Sequence, residues 1–178
     1  MYPFIRLAWQ HFIHRNSPAL EPTDTHISHH ICWPWDLDMW MELNNGRTLT
    51  LYDMGRLPMA QRMGLLRLLK QQCWGLTIAG SAARYRRRIR MFDRIEMRSR
   101  ALCWDRRFIY LEQSMWTPAG DCAGQCIYRA AVVGPNGIVS PDQVMAVWKP
   151  KLKPPSMPAW IQAWSNAENQ RPWPPEQH

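Results

Sequence analysis

The chain has no apolar run approaching the ~20 residues that a membrane-spanning helix needs, which sets aside an integral membrane class. Its five cysteines, Cys32, Cys73, Cys103, Cys122 and Cys126, include no Cys-x-x-Cys pair. An odd, scattered set of this kind argues against a disulfide framework or a zinc ribbon and predicts reduced, buried thiols. The first fifteen residues lack a small-residue cleavage site, so no export is indicated and a cytoplasmic location follows by default. No period of solenoid length recurs. Acidic charge is the scarce sign: 14 Asp and Glu against 22 Lys and Arg leave a net charge of +8. The six histidines form no obvious ligand set. His29 and His30 are adjacent and would face opposite ways on a strand, so no metal is expected.

What is present describes one α+β domain. With 178 residues, 46% hydrophobic and 20% charged, a chain of this length buries roughly 70% of its unfolded surface. The opening MYPFIRLAWQHFIHR places Phe4, Leu7, Ala8 and Phe12 among Arg6, His14 and Arg15 and reads as a short amphipathic helix. Its apolar content is too broken for a secretory signal; helped by the basic charge, such a helix can rest on an anionic membrane, but membrane contact is not expected. Residues 25–32 read as an edge-like strand ended by Trp33-Pro34-Trp35. Asn44 can cap a helix, which Pro58 should divide into a main part over residues 46–55 and a separate turn over 58–67. From Thr77 to Val147 the segments alternate, with turn signals at residues 92–94, 104–107, 118–121 and 134–137. Four or five antiparallel strands with a helix across one face follow. The domain is expected over residues 1–150, and the proline-rich stretch 151–178 as a tail.

Two stretches carry candidate chemistry. In DLDMWMELNNGR, residues 36–47, three carboxylates precede an Asn-Asn at a helix start. The first N–H groups of a helix lack intrahelical acceptors and carry roughly half a positive charge, which suits a developing oxyanion. In RYRRRIR, residues 84–90, a strand would put Arg84, Arg86, Arg88 and Arg90 on one face. That stripe suits the phosphates of coenzyme A, or it is a solvated outer face. Basic charge and eleven tryptophans also suit nucleic acid, but the tryptophans are scattered among apolar residues and read as packing, so no nucleic-acid partner is expected.

The succession WPWDLDMWMELNNGRTLTLYDMGR, then RYRRRIRMFDRIEMRSRALCWDRRFIYLEQSMW, resembles the hotdog-fold thioesterases of the 4-hydroxybenzoyl-CoA thioesterase type. The likeness is closer to the branch of thioesterase superfamily member six. The resemblance implies a curved antiparallel sheet wrapped around one long central helix, and a homodimer or dimer of dimers. It implies hydrolysis of an acyl-CoA or acyl carrier protein thioester without a cofactor. It places Asp38 as nucleophile or general base and the Asn45 backbone N–H at the thioester carbonyl. Asp53 falls where another hotdog subgroup has a helix-borne acid, although it can equally pair with Arg56 at i+3. Glu42, Asn44, Arg84, Arg86 and Arg88 are the expected substrate contacts, with Asn44 also readable as a plain cap. Where many members have Gly-His, this chain has Met41-Glu42. The departure leaves a non-catalytic acyl-thioester-binding or scaffold protein as the alternative.

Overall fold

Beyond residue 74 the two-residue alternation is realised as a curved antiparallel sheet, and in the computed structural model, which describes residues 2–175, that sheet closes over a helix. The elements run α1 (Phe4–Ile13), β1 (His26–Ile31), a single 3-10 turn (Pro34–Asp36), α2 (Asn45–Arg62) and α3 (Leu65–Gln71). Then come β2 (Gly75–Tyr85), β3 (Arg94–Trp104), β4 (Ile109–Trp116), β5 (Cys122–Gly134), β6 (Gly137–Val139), α4 (Pro141–Trp148) and α5 (Ala159–Gln170). The strand order is β1-β3-β4-β5-β2, with β6 folded back on the end of β5. All four predicted turns fall between strands. Register shifts insert one extra residue each in β2 (Ala79), β3 (Leu102) and β5 (Ala123), which bends the sheet.

Helix α2 lies against the concave face and buries Leu51, Tyr52, Met54, Gly55 and Met59. These meet Met97, Ala101, Leu111, Met115 and Ala130 in one core. Each buried Leu or Met among them contributes roughly 1.5–3 kcal/mol. The approach is tightest at Gly55, where a Cβ would stand 2.6 Å from Met97 Sδ and 2.8 Å from Ser99 Oγ.

The expected break at Pro58 does not occur: α2 runs through it from Asn45 to Arg62. Buried neighbours on both sides, Met54, Gly55, Met59 and Ala60, hold the chain against the sheet and offset the lost N–H. The true break is Gly64, whose φ of +74° ends α2 and starts α3. A second correction concerns residues 151–178. Within this stretch α5 packs on the convex face, burying Ile161 against Cys103, Phe108, Tyr110 and Ile127. Tyr110 shares a hydrogen bond with Ser165 (2.9 Å) and Arg129 pairs with Glu168 (3.2 Å). Composition alone missed this helix because prolines dominate its approach. A third concerns the thiols: Cys32, Cys103 and Cys126 are buried, but Cys73 is exposed in the turn before β2.

The inner face of β1 is polar, and this has a consequence for stability. His26, Ser28 and His30 point inward and are buried. Arg62 donates to His26 Nδ1 (2.9 Å), and His30 Nε2 lies 2.8 Å from Ser28 Oγ.

Candidate active site

The three carboxylates of residues 36–47 have three different tasks. Asp36 is buried and acts as a pin: Oδ2 accepts from Arg6 (2.7 Å) and from the Trp33 N–H (3.1 Å), and Oδ1 faces Arg47 Nε at 3.4 Å. Its carbonyl accepts from the Asn44 N–H (2.9 Å), so it fixes the entry to α2. Asp38 begins a tight turn. Its Oδ1 accepts from the N–H groups of Trp40 (2.8 Å) and Glu42 (3.5 Å), and its own N–H donates to the Glu42 carbonyl (2.9 Å). Oδ2 of Asp38 has no hydrogen-bond partner among the described residues. Glu42 closes the turn and pairs with Arg88 Nε at 3.0 Å.

The turn is strained at Met41, whose φ is +57°. This is the left-handed conformation that costs an L-residue roughly 1–2 kcal/mol and a glycine almost nothing. A glycine at this position would follow the same backbone path without that cost.

At the start of α2, Asn44 Oδ1 accepts from Gly46 N–H (2.9 Å) and Arg47 N–H (3.1 Å), and its carbonyl takes the Thr48 N–H (2.8 Å). Asn44 is thus the cap. The Asn45 N–H is left without an acceptor among the described residues. Beside it is a cavity of about 230 Å³ lined by Glu42, Asn45, Thr48, Tyr52, Arg86 and Arg88, with Tyr85, Met115 and Gly124 behind them. Asn45, Thr48 and Tyr52 share one helix face by their i, i+3, i+7 spacing, the signal that could have picked out Thr48 and Tyr52 in advance. Burial pushes the Tyr52 hydroxyl far above its ordinary range, so it is a neutral wall.

Neither Asp38 nor Asp53 is among the cavity's lining residues; Asp53 lines a separate groove with Arg56, Leu66 and Trp74. Asp53 is paired with Arg56 and accepts from the Tyr2 hydroxyl (3.2 Å). Burial and the Asp53 charge push that hydroxyl up to about 12. Arg56 in turn donates to Gln113 (3.1 Å) and covers the Tyr128 ring at 4.4 Å, a buried network that no sequence motif announced.

The single arginine stripe is also corrected. Strand β2 ends at Tyr85, because the N–H groups of Arg86 and Arg87 both turn to the Ala123 carbonyl (2.8 and 3.0 Å). Arg84 therefore lines a separate groove of about 660 Å³ on the outer face, with Arg98 and Arg100. Arg88 stands at the cavity beside α2, and Arg86 lines both.

At the start of α2 one small cavity thus brings together a helix N–H unpartnered among the described residues, Glu42, Arg86 and Arg88. Residues 32–165 match the thioesterase-like superfamily, and the chain belongs to that family. It is 32% identical over 136 residues to Protein THEM6 of Xenopus laevis, covering 75% of this chain and 64% of that protein's length. Among solved structures it resembles the probable thioesterase YbaW from Escherichia coli, with a TM-score of 0.65 at 13% identity, covering 68% of this chain and 94% of that one. It also resembles the hypothetical protein SAV2348 from Staphylococcus aureus in complex with CoA, with a TM-score of 0.62 at 10% identity, covering 82% of this chain and 96% of that one. These likenesses give the hotdog fold, a curved antiparallel sheet with helices. Among the described residues no helix is long and apolar enough to cross a membrane.

Proposed function

We propose that the protein hydrolyses an acyl-CoA thioester in the cytoplasm, at the cavity between the start of α2 and residues 85–89. The observation that carries the reading is the Asn45 N–H, free of any partner among the described residues, at the same cavity as Arg86 and Arg88. In this reading the thioester carbonyl accepts from the Asn45 N–H, whose helix-end charge favours the oxyanion of the tetrahedral intermediate. Asp38, joined to the cavity wall through its backbone and side-chain hydrogen bonds to Glu42, activates the water: Oδ1 is anchored by two backbone N–H groups, which leaves Oδ2 for the proton. Glu42 is the second candidate for that task, favoured by its place in the cavity wall. Asn44 holds the helix end, and Asp53 has a structural part with Arg56 and Tyr2. The CoA-bound neighbour supports coenzyme A as the thiol carrier.

Arginine contacts to phosphate are charge-assisted and worth ~1.5–3 kcal/mol, so losing one weakens binding roughly ten- to a hundredfold. We expect Arg86→Gln or Arg88→Gln to lower affinity for an acyl-CoA in this range and to spare the same acyl group on pantetheine, which lacks the nucleotide. The loss should shrink at high salt. Arg84→Gln, on the outer-face groove, probes whether the nucleotide crosses the sheet edge. Equal losses on both esters, or none on either, would remove the phosphate assignment.

The reading includes a homodimer. Strand β2 spans eleven residues, pairs on one side with β5, and has its other edge bare among the described residues. The opposite sheet edge, β1, is covered in part by α1, where Gln10 donates to the His29 carbonyl (3.3 Å). A long bare edge invites pairing, and a second copy satisfies it symmetrically. Light scattering at micromolar concentration should report twice the 21.0 kDa chain mass, or four times it for a dimer of dimers. A clean monomer would count against the assembly.

A further inference from the structure

The geometry points to a peripheral membrane-docking face formed by α1 and the aromatic cluster at residues 33–35 and 92, fitted to an anionic lipid bilayer. Helix α1 turns its polar side inward, not its apolar one. Gln10 is buried and Arg6 reaches Asp36, whereas Phe4, Ile5 and Trp9 are 70%, 88% and 59% exposed and Phe12 and Ile13 are exposed with them. An isolated amphipathic helix on a water-soluble domain would do the reverse.

A second observation extends the patch beyond the helix. Trp33 stacks on Trp35 (5.4 Å) and meets Phe92 edge-on (6.0 Å), and Trp35 and Phe92 are exposed. Ile5, Trp9, Trp33, Arg94, Arg98 and Trp116 line one open groove of about 1010 Å³ that joins α1 to this cluster. Exposed apolar groups of this extent mark an interaction face.

Charge selects the occupant. Arg15 lies over the Phe12 ring (3.7 Å) and Arg98 over Trp116 (4.6 Å), and Arg94 is exposed beside them. The groove lining holds a single carboxylate, Glu96, which Arg98 already pairs (2.7 Å). A second copy docked through this same face would set Arg94 and Arg98 against their own equivalents. A bilayer with acidic headgroups offers apolar depth for Ile5, Trp9 and Phe12 and counter-charge for the arginines. Tryptophan suits that boundary because its ring is apolar and its N–H is not. The sequence left membrane contact only as a minor alternative; which side of α1 faces out is visible only in the fold.

The 178-residue chain should float with phosphatidylcholine vesicles that contain phosphatidylglycerol, float poorly with phosphatidylcholine alone, and be released by salt. Ile5→Asp combined with Trp9→Asp should lower the affinity at least ~10-fold. Trp160→Asp, exposed on α5, should float as the parent does. Arg94→Gln with Arg98→Gln leaves α1 intact and should remove the preference for acidic lipid, so the idea stays testable if the first pair misfolds. No flotation of the parent, or equal flotation of all variants, overturns the proposal. So does an oligomer that dissociates in the Ile5/Trp9 variant while vesicles stay unbound, which would assign the face to a second copy. The outcome is independent of the thioesterase reading, since an inactive chain with this face would still float.

Discussion

Asp38→Asn is expected to lower acyl-CoA hydrolysis by at least ~100-fold and to leave the fold intact, the range for removing a positioned base or nucleophile. The reasoning is local. The asparagine amide oxygen can still accept from the Trp40 and Glu42 N–H groups that Oδ1 now receives, so the turn survives. What disappears is the negative charge and proton affinity of the second oxygen. Glu42→Gln should instead act mainly through substrate binding, because it releases Arg88 from its 3.0 Å ion pair and changes the cavity wall. The two variants, measured over a panel of acyl-CoA lengths with kcat and KM separated, discriminate the roles. If Glu42→Gln abolishes kcat and Asp38→Asn spares it, the base is the cavity-wall carboxylate. If neither variant affects kcat, water activation by the turn is wrong. Binding of acyl-CoA without turnover by the parent protein would favour the non-catalytic alternative.

A comparably large effect is expected from acid. Burial and nearby cationic groups push the His26 imidazole down to about 3 and His30 likewise to about 3. His26 sees the His14 ring at 4.6 Å and Arg62, and His30 sees Arg6. In both, the folded state binds a proton less readily than the unfolded chain, whose imidazoles titrate near ~6.5. The stability they permit is therefore complete above that value and declines as pH falls through it toward 3. Each pKa unit is worth about 1.4 kcal/mol, so at pH 4.5 the two histidines together cost on the order of 5 kcal/mol. That is a large share of a typical stability of ~5–15 kcal/mol. Urea midpoints measured from pH 8 to pH 4.5 should fall steeply below pH 6.5. The double variant His26→Gln, His30→Gln, whatever its stability at pH 8, should show a much shallower fall, because its amides cannot take up the proton. An unchanged slope would move the acid sensitivity to other groups.

These two cases also show what could be read in advance. Asn44 as a cap, the four turns and the helix-then-meander order depend on residues next to each other in the chain, and all were legible. The arginines were legible as a charge run but not as a site. Their division between an inner cavity and an outer groove follows from β2 stopping at Tyr85, after which the N–H groups of Arg86 and Arg87 converge on the Ala123 carbonyl from a distant part of the chain. Pro58 reads as a helix end from its own geometry, yet packing of Met54, Gly55 and Met59 on the sheet outweighs it. Asp36 and Asp38 look alike in the sequence. Only Arg6 and Arg47, brought in from α1 and α2, make the first a buried pin and leave the second at the surface of the turn.

By itself, then, the sequence determined the strand, helix and meander order up to β6 and the family, and singled out residues 36–47 as the candidate site, because local propensity, capping and motif spacing are properties of neighbours; it missed α4 and α5. Tertiary structure alone decided which carboxylate is buried, where each arginine points, that β1 turns histidines into the core, and that α1 leaves its aromatic side uncovered. Each of those depends on contacts between segments tens of residues apart, where burial and charge are set by what the folded chain brings alongside.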